Sequence, residues 1–272
     1  MKGMENDEIH QSVRDNYGKV AKSNSVGCGC NPSVCCGEAT ANPPKGRPSQ
    51  KSSQMGYSEE ELQSIPEGAD MGLGCGNPQA IAALKLGETV LDLGSGGGFD
   101  CFLAANKVGP TGKVIGVDMT PEMLTKAREN ARNGGYVNIE FRLGEIEHLP
   151  VADDSIDVIL SNCVINLSPD KLSVFREAFR TLRPGGRLAI SDIVTTTELP
   201  VKVRNDLKLY CGCITGAIPI AELEHILAEA GFEKIRIQPK EKSREFIREW
   251  APDHNVEDYI VSTTIEAIKG LT

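Results

Sequence analysis

Nine cysteines are distributed over 272 residues, and four of them, Cys28, Cys30, Cys35 and Cys36, crowd into VGCGCNPSVCC (26–36). The others are Cys75, Cys101, Cys163, Cys211 and Cys213. Sulfur at this density fits four kinds of chemistry: a disulfide scaffold, a zinc site, a redox relay, or the capture of a soft, thiophilic substrate. Disulfide scaffolds are a device of short secreted chains. A chain of 272 residues with 40% hydrophobic content buries a core without cross-links, and an odd cysteine count leaves one unpaired. The spacing C-x-C-x4-C-C departs from the paired C-x2-C of most zinc sites, and adjacent Cys35 and Cys36 are poorly placed to ligate one ion together. An accessory zinc site on Cys28, Cys30, Cys35 and Cys36 remains an alternative.

Three of the later cysteines occupy positions with chemical meaning. Cys75, in GLGCGNP (72–78), directly precedes a helix expected to open at Asn77-Pro78, where a helix N-terminus favours thiolate over thiol. Cys163, in SNCVINL (161–167), follows the end of an expected strand, the position at which doubly wound sheets bind ligands. Cys213 lies in a long irregular segment, CGCITGA (211–217), with length enough to fold over that crevice. A buried cysteine taken singly is more often a small apolar core residue. Cys101 fits that description beside Phe102 and Leu103. Cys211 and Cys213 are two apart and would face nearly opposite sides of a helix, so one of them, Cys213, is expected at the site. Three thiolates from three distant segments can then converge on one soft ion.

The positioning elements follow from periodicity. TVLDLG, KVIGVD, NIEFRLG, SIDVILS and RLAISD are strand-like apolar runs, and helical stretches alternate with them. Asn77-Pro78, Thr120-Pro121 and Ser168-Pro169 place proline at expected first helical positions. This order predicts an α/β fold, a doubly wound, mostly parallel sheet covered on both faces. Residues 1–74 carry an amphipathic helix over 7–22, the cysteine-rich run and a Pro/Gly/Ser-rich loop over 39–56. Ser58 and Glu61 make a capping box. Residues 75–194 form the regular α/β domain, and 195–272 an insertion followed by a helix and two strands that complete the sheet. Net charge −9 and pI about 5.1 argue against a nucleic-acid surface. No run approaches the length of a membrane span and no apolar leader is visible, so a cytoplasmic chain with reduced thiols is expected.

VLDLGSGGGFD (90–100) is the most specific stretch. A strand ends in Gly94, and the turn that follows lets backbone approach a ligand. The dinucleotide fingerprint asks for glycine where Phe99 stands, and no Lys-Ser/Thr pair closes a P-loop. Asp118, at the end of the second strand, is placed to accept hydrogen bonds from ribose hydroxyls. The glycine turn, Asp118, GEIEHLP (144–150) and RPGGRL (183–188), in this order, resemble the class I S-adenosylmethionine-dependent methyltransferases over about residues 75–240. That resemblance implies Asp92, Gly94, Ser95 and Gly96 around the methionine part of the donor. It further implies Asp118 and Met119 at ribose and adenine, and Glu145 and Ile146 at the adenine edge.

With GLGCGNP, SNCVINL, GCITGA, REFIREWAP, EDYIVSTTIEA and VRDNYGKVA, the chain from residue 10 onward resembles the arsenite S-adenosylmethionine methyltransferases. The resemblance implies that Cys75, Cys163 and Cys213 bind arsenic(III), and that an N-terminal cysteine, Cys35 or Cys36 among the four available, forms a transient disulfide in turnover. It implies arsenite or its thiol conjugates as substrate, and thioredoxin or a glutathione-like thiol as reductant. Softness matching supports it, since trivalent arsenic prefers three sulfurs and keeps a lone pair for the donor's methyl group. A small organic methyl acceptor is the alternative, and would make the three cysteines incidental. The four histidines and Trp250 carry no expected role.

Overall fold

The structure is a computed structural model that describes residues 6–22, 50–204 and 206–271. The four cysteines of the 26–36 run lie outside the described residues. The chain opens with α1 (Asn6–Lys22), α2 (Gln50–Gln54), α3 (Glu59–Gln63) and α4 (Gln79–Ala82). Regular alternation then gives β1 (Thr89–Leu93), α5 (Phe99–Val108), β2 (Lys113–Asp118), α6 (Pro121–Asn133), β3 (Ile139–Leu143), β4 (Ile156–Asn162), α7 (Lys171–Thr181) and β5 (Leu182–Thr195). After β5 come α8 (Val201–Arg204), α9 (Leu207–Cys211), α10 (Ile220–Glu229), β6 (Phe232–Pro239), α11 (Arg244–Ile247) and β7 (Ile260–Lys269).

The strands form one seven-stranded sheet in the order β3-β2-β1-β4-β5-β7-β6. The first five are parallel, and β7 runs antiparallel to both its neighbours. The period of two along each strand sorts side chains to opposite faces. On β1, Leu91 and Leu93 join Val174, Phe175 and Leu227 beneath α7 and α10. Val90 points the other way, to Phe102, Ala105 and Leu124 beneath α5 and α6. Chain order reverses between β1 and β4, so a crevice opens at their carboxyl ends. A third cluster caps that end, where α1, α9 and α11 pack Ile9, Val13, Leu209 and Ile247 around Cys75, Cys163, Cys211 and Cys213.

Local chemistry sets most boundaries. The Ser58 hydroxyl accepts from Glu61 N while the Glu61 carboxylate accepts from Ser58 N, completing the capping box of α3. Pro121 begins α6 as its spacing predicts. Two expected helix starts differ. Pro169 lies outside α7, because Asp170 caps it by accepting from Ser173 N; Pro78 is itself the cap of a four-residue α4. The expected loop over 39–56 gives way to α2 at its end, where buried Ser52 donates to Asp70 and Met55 packs with Tyr57 and Leu62. Strand β5 begins five residues before RLAISD, the register shift between β4 and β5 absorbing the Pro-Gly-Gly. Among the described residues no helix is long and apolar enough to cross a membrane.

This layering predicts a contrast in stability. Leu91, 0% exposed inside the central strand, should cost about 2–5 kcal/mol on replacement by alanine. Val137, 96% exposed, should stay within about 0.5 kcal/mol. Urea unfolding of L91A and V137A reads both; equal midpoints would contradict the assignment of the core.

Candidate functional site

A cavity of about 530 Å³ lies at the carboxyl ends of β1, β2 and β4, within the ordinary range for a small-molecule site. Asp92, Gly94, Ser95, Gly96, Asp118, Met119 and Ile146 all line it. Glu145 does not: its carboxylate turns to Arg14 on α1 at 2.9 Å, and the neighbouring Glu147 takes the lining position instead. The glycine turn holds Gly96 at φ 51°, and a Cβ added there would meet nothing within 4 Å, so that backbone faces open cavity. Asp118 accepts from Gly96 N at 2.9 Å and from Thr120 N at 2.8 Å, tying the turn to the end of β2.

The cavity floor carries three buried carboxyl groups, Asp92, Asp100 and Asp118, whose charged forms burial disfavours. Burial pushes the Asp92 carboxyl well above the ordinary carboxylate range, helped by the charge of Asp100 and opposed by the hydrogen bond from Cys101 Sγ at 3.2 Å. Asp100 rises to about 6, burial outweighing hydrogen bonds from Tyr57, Asn162 and Gln79. Burial also raises Asp118, against the N–H groups it accepts. The Ser95 hydroxyl is buried without a partner. An open backbone cradle, a buried hydroxyl and three acids, none paired with a cation among the described residues, fit S-adenosylmethionine, which carries an ammonium, a sulfonium, a ribose and a flat adenine. Asp92, Ser95, Gly96 and Asp118 would hold it.

The cysteines meet at the edge of this cavity. Cys163 and Cys213 line it. The Cys75 and Cys163 sulfurs and a carboxylate oxygen of Asp192 lie within 4.8 Å of one another. Cys213 Sγ is 2.7 Å from the Cys163 carbonyl oxygen. All four residues are buried. Cys75 is gripped from both sides: its N–H donates to Asn162 Oδ1 at 3.0 Å, and its carbonyl accepts from Ser262 Oγ of β7 at 2.7 Å. Its flanking glycines permit this, because a Cβ at Gly74 would stand 2.8 Å from the Asn162 amide and one at Gly76 2.8 Å from Ser191 Oγ. Cys163 and Cys213 adopt left-handed backbone, φ 61° and 64°, at about 1–2 kcal/mol each. Cys163 N donates to Ser191 O at 2.8 Å, and Cys213 N to Tyr210 O at 2.9 Å, which holds those conformations.

The thiols are not activated in the manner the sequence implies. α4 is a single turn, and burial pushes the Cys75 thiol up rather than down. Hydrogen bonds with Cys213 and then Cys75 push Cys163 well up. Cys211 stays out of the sulfur cluster, raised by burial, while Tyr17 on α1 donates to its carbonyl. Cys101 is core, as expected, though it also donates to Asp92.

Several residues at or beside the cavity carry no sequence expectation. Asp192 ends the run AISD and accepts from Ile165 N, Asn166 Nδ2 and Ile193 N; burial holds its carboxyl at about 6. Asp118 at the end of β2 was legible as ligand-facing, and the same rule applied to the expected strand RLAISD, which Asp192 closes, would have found it. Asn162 joins the two halves of the site, since its amide donates to Tyr57 Oη, Gly76 O and Asp100. His10 of α1 reaches Glu147 at 3.0 Å, and Glu147 accepts from Ser168 Oγ. His10 and Trp250 therefore line the cavity, where no role was expected for either.

Comparison with known proteins agrees with this geometry. A family model described as a methyltransferase domain matches residues 84–231. An arsenite methyltransferase of Halobacterium salinarum is 50% identical over 97% of this chain and 67% of its own length. Another, of Aquipseudomonas alcaligenes, is 42% identical over 84% of this chain and 63% of its own. The chain thus spans about two thirds of the length of these relatives. The crystal structure of an arsenic(III) S-adenosylmethionine methyltransferase from Chlamydomonas reinhardtii superposes with TM-score 0.61 at 34% identity, covering 85% of this chain and 75% of that one. The chain belongs to the arsenite methyltransferases, S-adenosylmethionine-dependent enzymes of the class I methyltransferase fold.

Proposed function

We propose that this chain methylates trivalent arsenic held on Cys75, Cys163 and Cys213. The observation that carries the reading is that Cys163 and Cys213 line the same cavity as the glycine turn, with the Cys75 sulfur beside Cys163. Arsenite and three thiols exchange without net change of protons, each thiol proton leaving as water with a hydroxide of the arsenic. The product is neutral, which suits a dry site that would strongly disfavour three free thiolates. Trivalent arsenic bound this way keeps its lone pair and is itself the nucleophile, so no side chain has to act as general base.

Bound S-adenosylmethionine supplies a methyl carbon activated by a sulfonium leaving group. The chain's own residues contribute alignment and exclusion of water. Asn162 fixes Cys75 and, through Asp100 and Tyr57, the floor of the donor pocket, so a single side chain sets the spacing between the two substrates. Met119, Phe246 and Trp250 line the cavity and pack against the apolar cluster that contains the three cysteines. Methylation leaves arsenic formally pentavalent. Its return to the trivalent state takes two electrons, which a pair of thiols closing to a disulfide would provide, with Cys35 or Cys36 as the N-terminal participant and thioredoxin or a glutathione-like thiol reopening it. Arsenic detoxification would follow.

Two measurements check this reading. Arsenic speciation after incubation with arsenite, methyl donor and thiol should show methylated arsenic for the unaltered chain and none above background for Cys75→Ser, Cys163→Ser or Cys213→Ser. All three variants should bind S-adenosylhomocysteine normally; unimpaired turnover in them would defeat the tripod. The second measurement concerns acidity. Asp100 is ionised above about pH 6 and protonated below it, so the negative floor of the pocket fades as pH falls through that value. Affinity for the cationic donor should therefore drop on going from about pH 7.5 to 5 by more than affinity for neutral-sulfur S-adenosylhomocysteine. Calorimetric titration of both ligands reads the difference, and parallel profiles would remove the acids from sulfonium recognition.

A further inference from the structure

The sulfur cluster contains one donor that arsenic does not need. Trivalent arsenic takes three sulfurs and keeps its fourth direction for the lone pair. Asp192 nevertheless presents a buried carboxylate oxygen within 4.8 Å of both the Cys75 and the Cys163 sulfurs. It is held there by backbone and side-chain donors from Ile165, Asn166 and Ile193, and its own carbonyl accepts from Thr263 at 2.9 Å. A carboxylate with three donors still has a free lone pair for a cation. Two sulfurs and one oxygen in this arrangement, with Cys213 adjoining Cys163, make a four-donor set of thiolates and carboxylate.

We infer that Cys75, Cys163, Cys213 and Asp192 form a tetrahedral site for a divalent d¹⁰ cation, zinc above all, that competes with arsenite for the enzyme. Zinc takes sulfur at about 2.3 Å and carboxylate oxygen at about 2.0–2.2 Å, which places tetrahedral donors roughly 3.5–3.8 Å apart. The Cys75, Cys163 and Asp192 donors therefore have to close by no more than about 1 Å, and Cys213 has to rotate its sulfur off the Cys163 carbonyl oxygen. Binding is a ligand exchange without redox change: zinc gives up its waters, and the three thiol protons pass to solvent. Three thiolates and a carboxylate around one dication leave two negative charges. Lys171, half-buried and close enough to feel both Asp192 and Cys213, offsets one of them.

Asp192 is what separates the two occupants. The arsenic complex is neutral and three-coordinate and makes no use of the carboxylate, whereas the zinc complex is four-coordinate and depends on it. The site is distinct from any zinc held by Cys28, Cys30, Cys35 and Cys36. The inference rests on the tripod of the proposed function for its competition clause only, since metal binding by these four residues stands without it.

Cobalt(II), added to the full-length reduced chain with those four N-terminal cysteines changed to serine, tests the site directly. One cobalt per chain should bind with the intense visible spectrum of a tetrahedral, thiolate-rich centre. Arsenite should displace it mole for mole, and Cys163→Ser should abolish it. Zinc should raise the apparent KM for arsenite in steady-state methylation and leave kcat unchanged. Asp192→Asn should weaken zinc roughly 10–100-fold, at least the loss usual for a supporting residue, with arsenite affinity little changed. Cobalt that binds in six-coordinate form, binds equally well to Cys163→Ser, or fails to bind at one equivalent would overturn the inference. The cobalt spectrum needs no change at Asp192, so poor folding of that variant does not shelter the idea. Cobalt bound as expected but indifferent to arsenite would instead unseat the arsenic reading and leave the metal site standing.

Discussion

Buried thiols and carboxylates resist ionisation, and this chain crowds both kinds of group into one dry pocket at the end of its sheet. Cys75, Cys163 and Asp192 all have their charged forms disfavoured, as do Asp92, Asp100 and Asp118 a few residues away. Nothing among the described residues neutralises the three acids of the donor pocket. On the proposed function, the site is completed by what it binds: a cationic donor over the acids, and an ion that replaces protons on the sulfurs. Affinity for both would then come from relieving an unfavourable arrangement that the rest of the fold enforces.

Enforcement comes from backbone more than from side-chain packing. Cys163 and Cys213 are held in left-handed conformations that cysteine ordinarily avoids, and Cys75 sits between two glycines pressed against Asn162 and Ser191. The anchors are polar and reach across the sheet, with Ser262 on β7 gripping Cys75 and Ser191 on β5 gripping Cys163. The antiparallel addition of β7 thus serves the site as well as the sheet, because it brings residue 262 beside residue 75. Replacing Ser262 would loosen Cys75 without touching a sulfur, because that grip is made by its hydroxyl, whereas Ser191 holds Cys163 through its backbone carbonyl.

Asn162 ties the two substrate regions into one unit. It faces Asp100 and Tyr57 on the donor side and the backbone around Cys75 on the sulfur side. In-line transfer requires two reactants at a fixed separation, and a shared hydrogen-bonding partner fixes it more tightly than two independently anchored loops would. α1 adds a lid from the other direction, with His10 and Arg14 reaching Glu147 and Glu145.

The amino-acid sequence by itself determined the alternation of strands and helices and the glycine turn, since each follows from local period or turn chemistry, and it singled out Asp118, Cys75, Cys163 and Cys213 as candidates for the site. The helix start at Pro169 was misplaced because a cap depends on which nearby side chain wins the free N–H groups, and Asp170 wins that of Ser173. Only the tertiary structure decided that Cys75 is a buried thiol rather than a helix-activated thiolate, that Glu145 turns to α1 and leaves the cavity wall to Glu147, and that Asp192 stands among the sulfurs. Those outcomes depend on contacts between residues 29 to 187 positions apart, and a spacing rule that reads one segment at a time has no access to them.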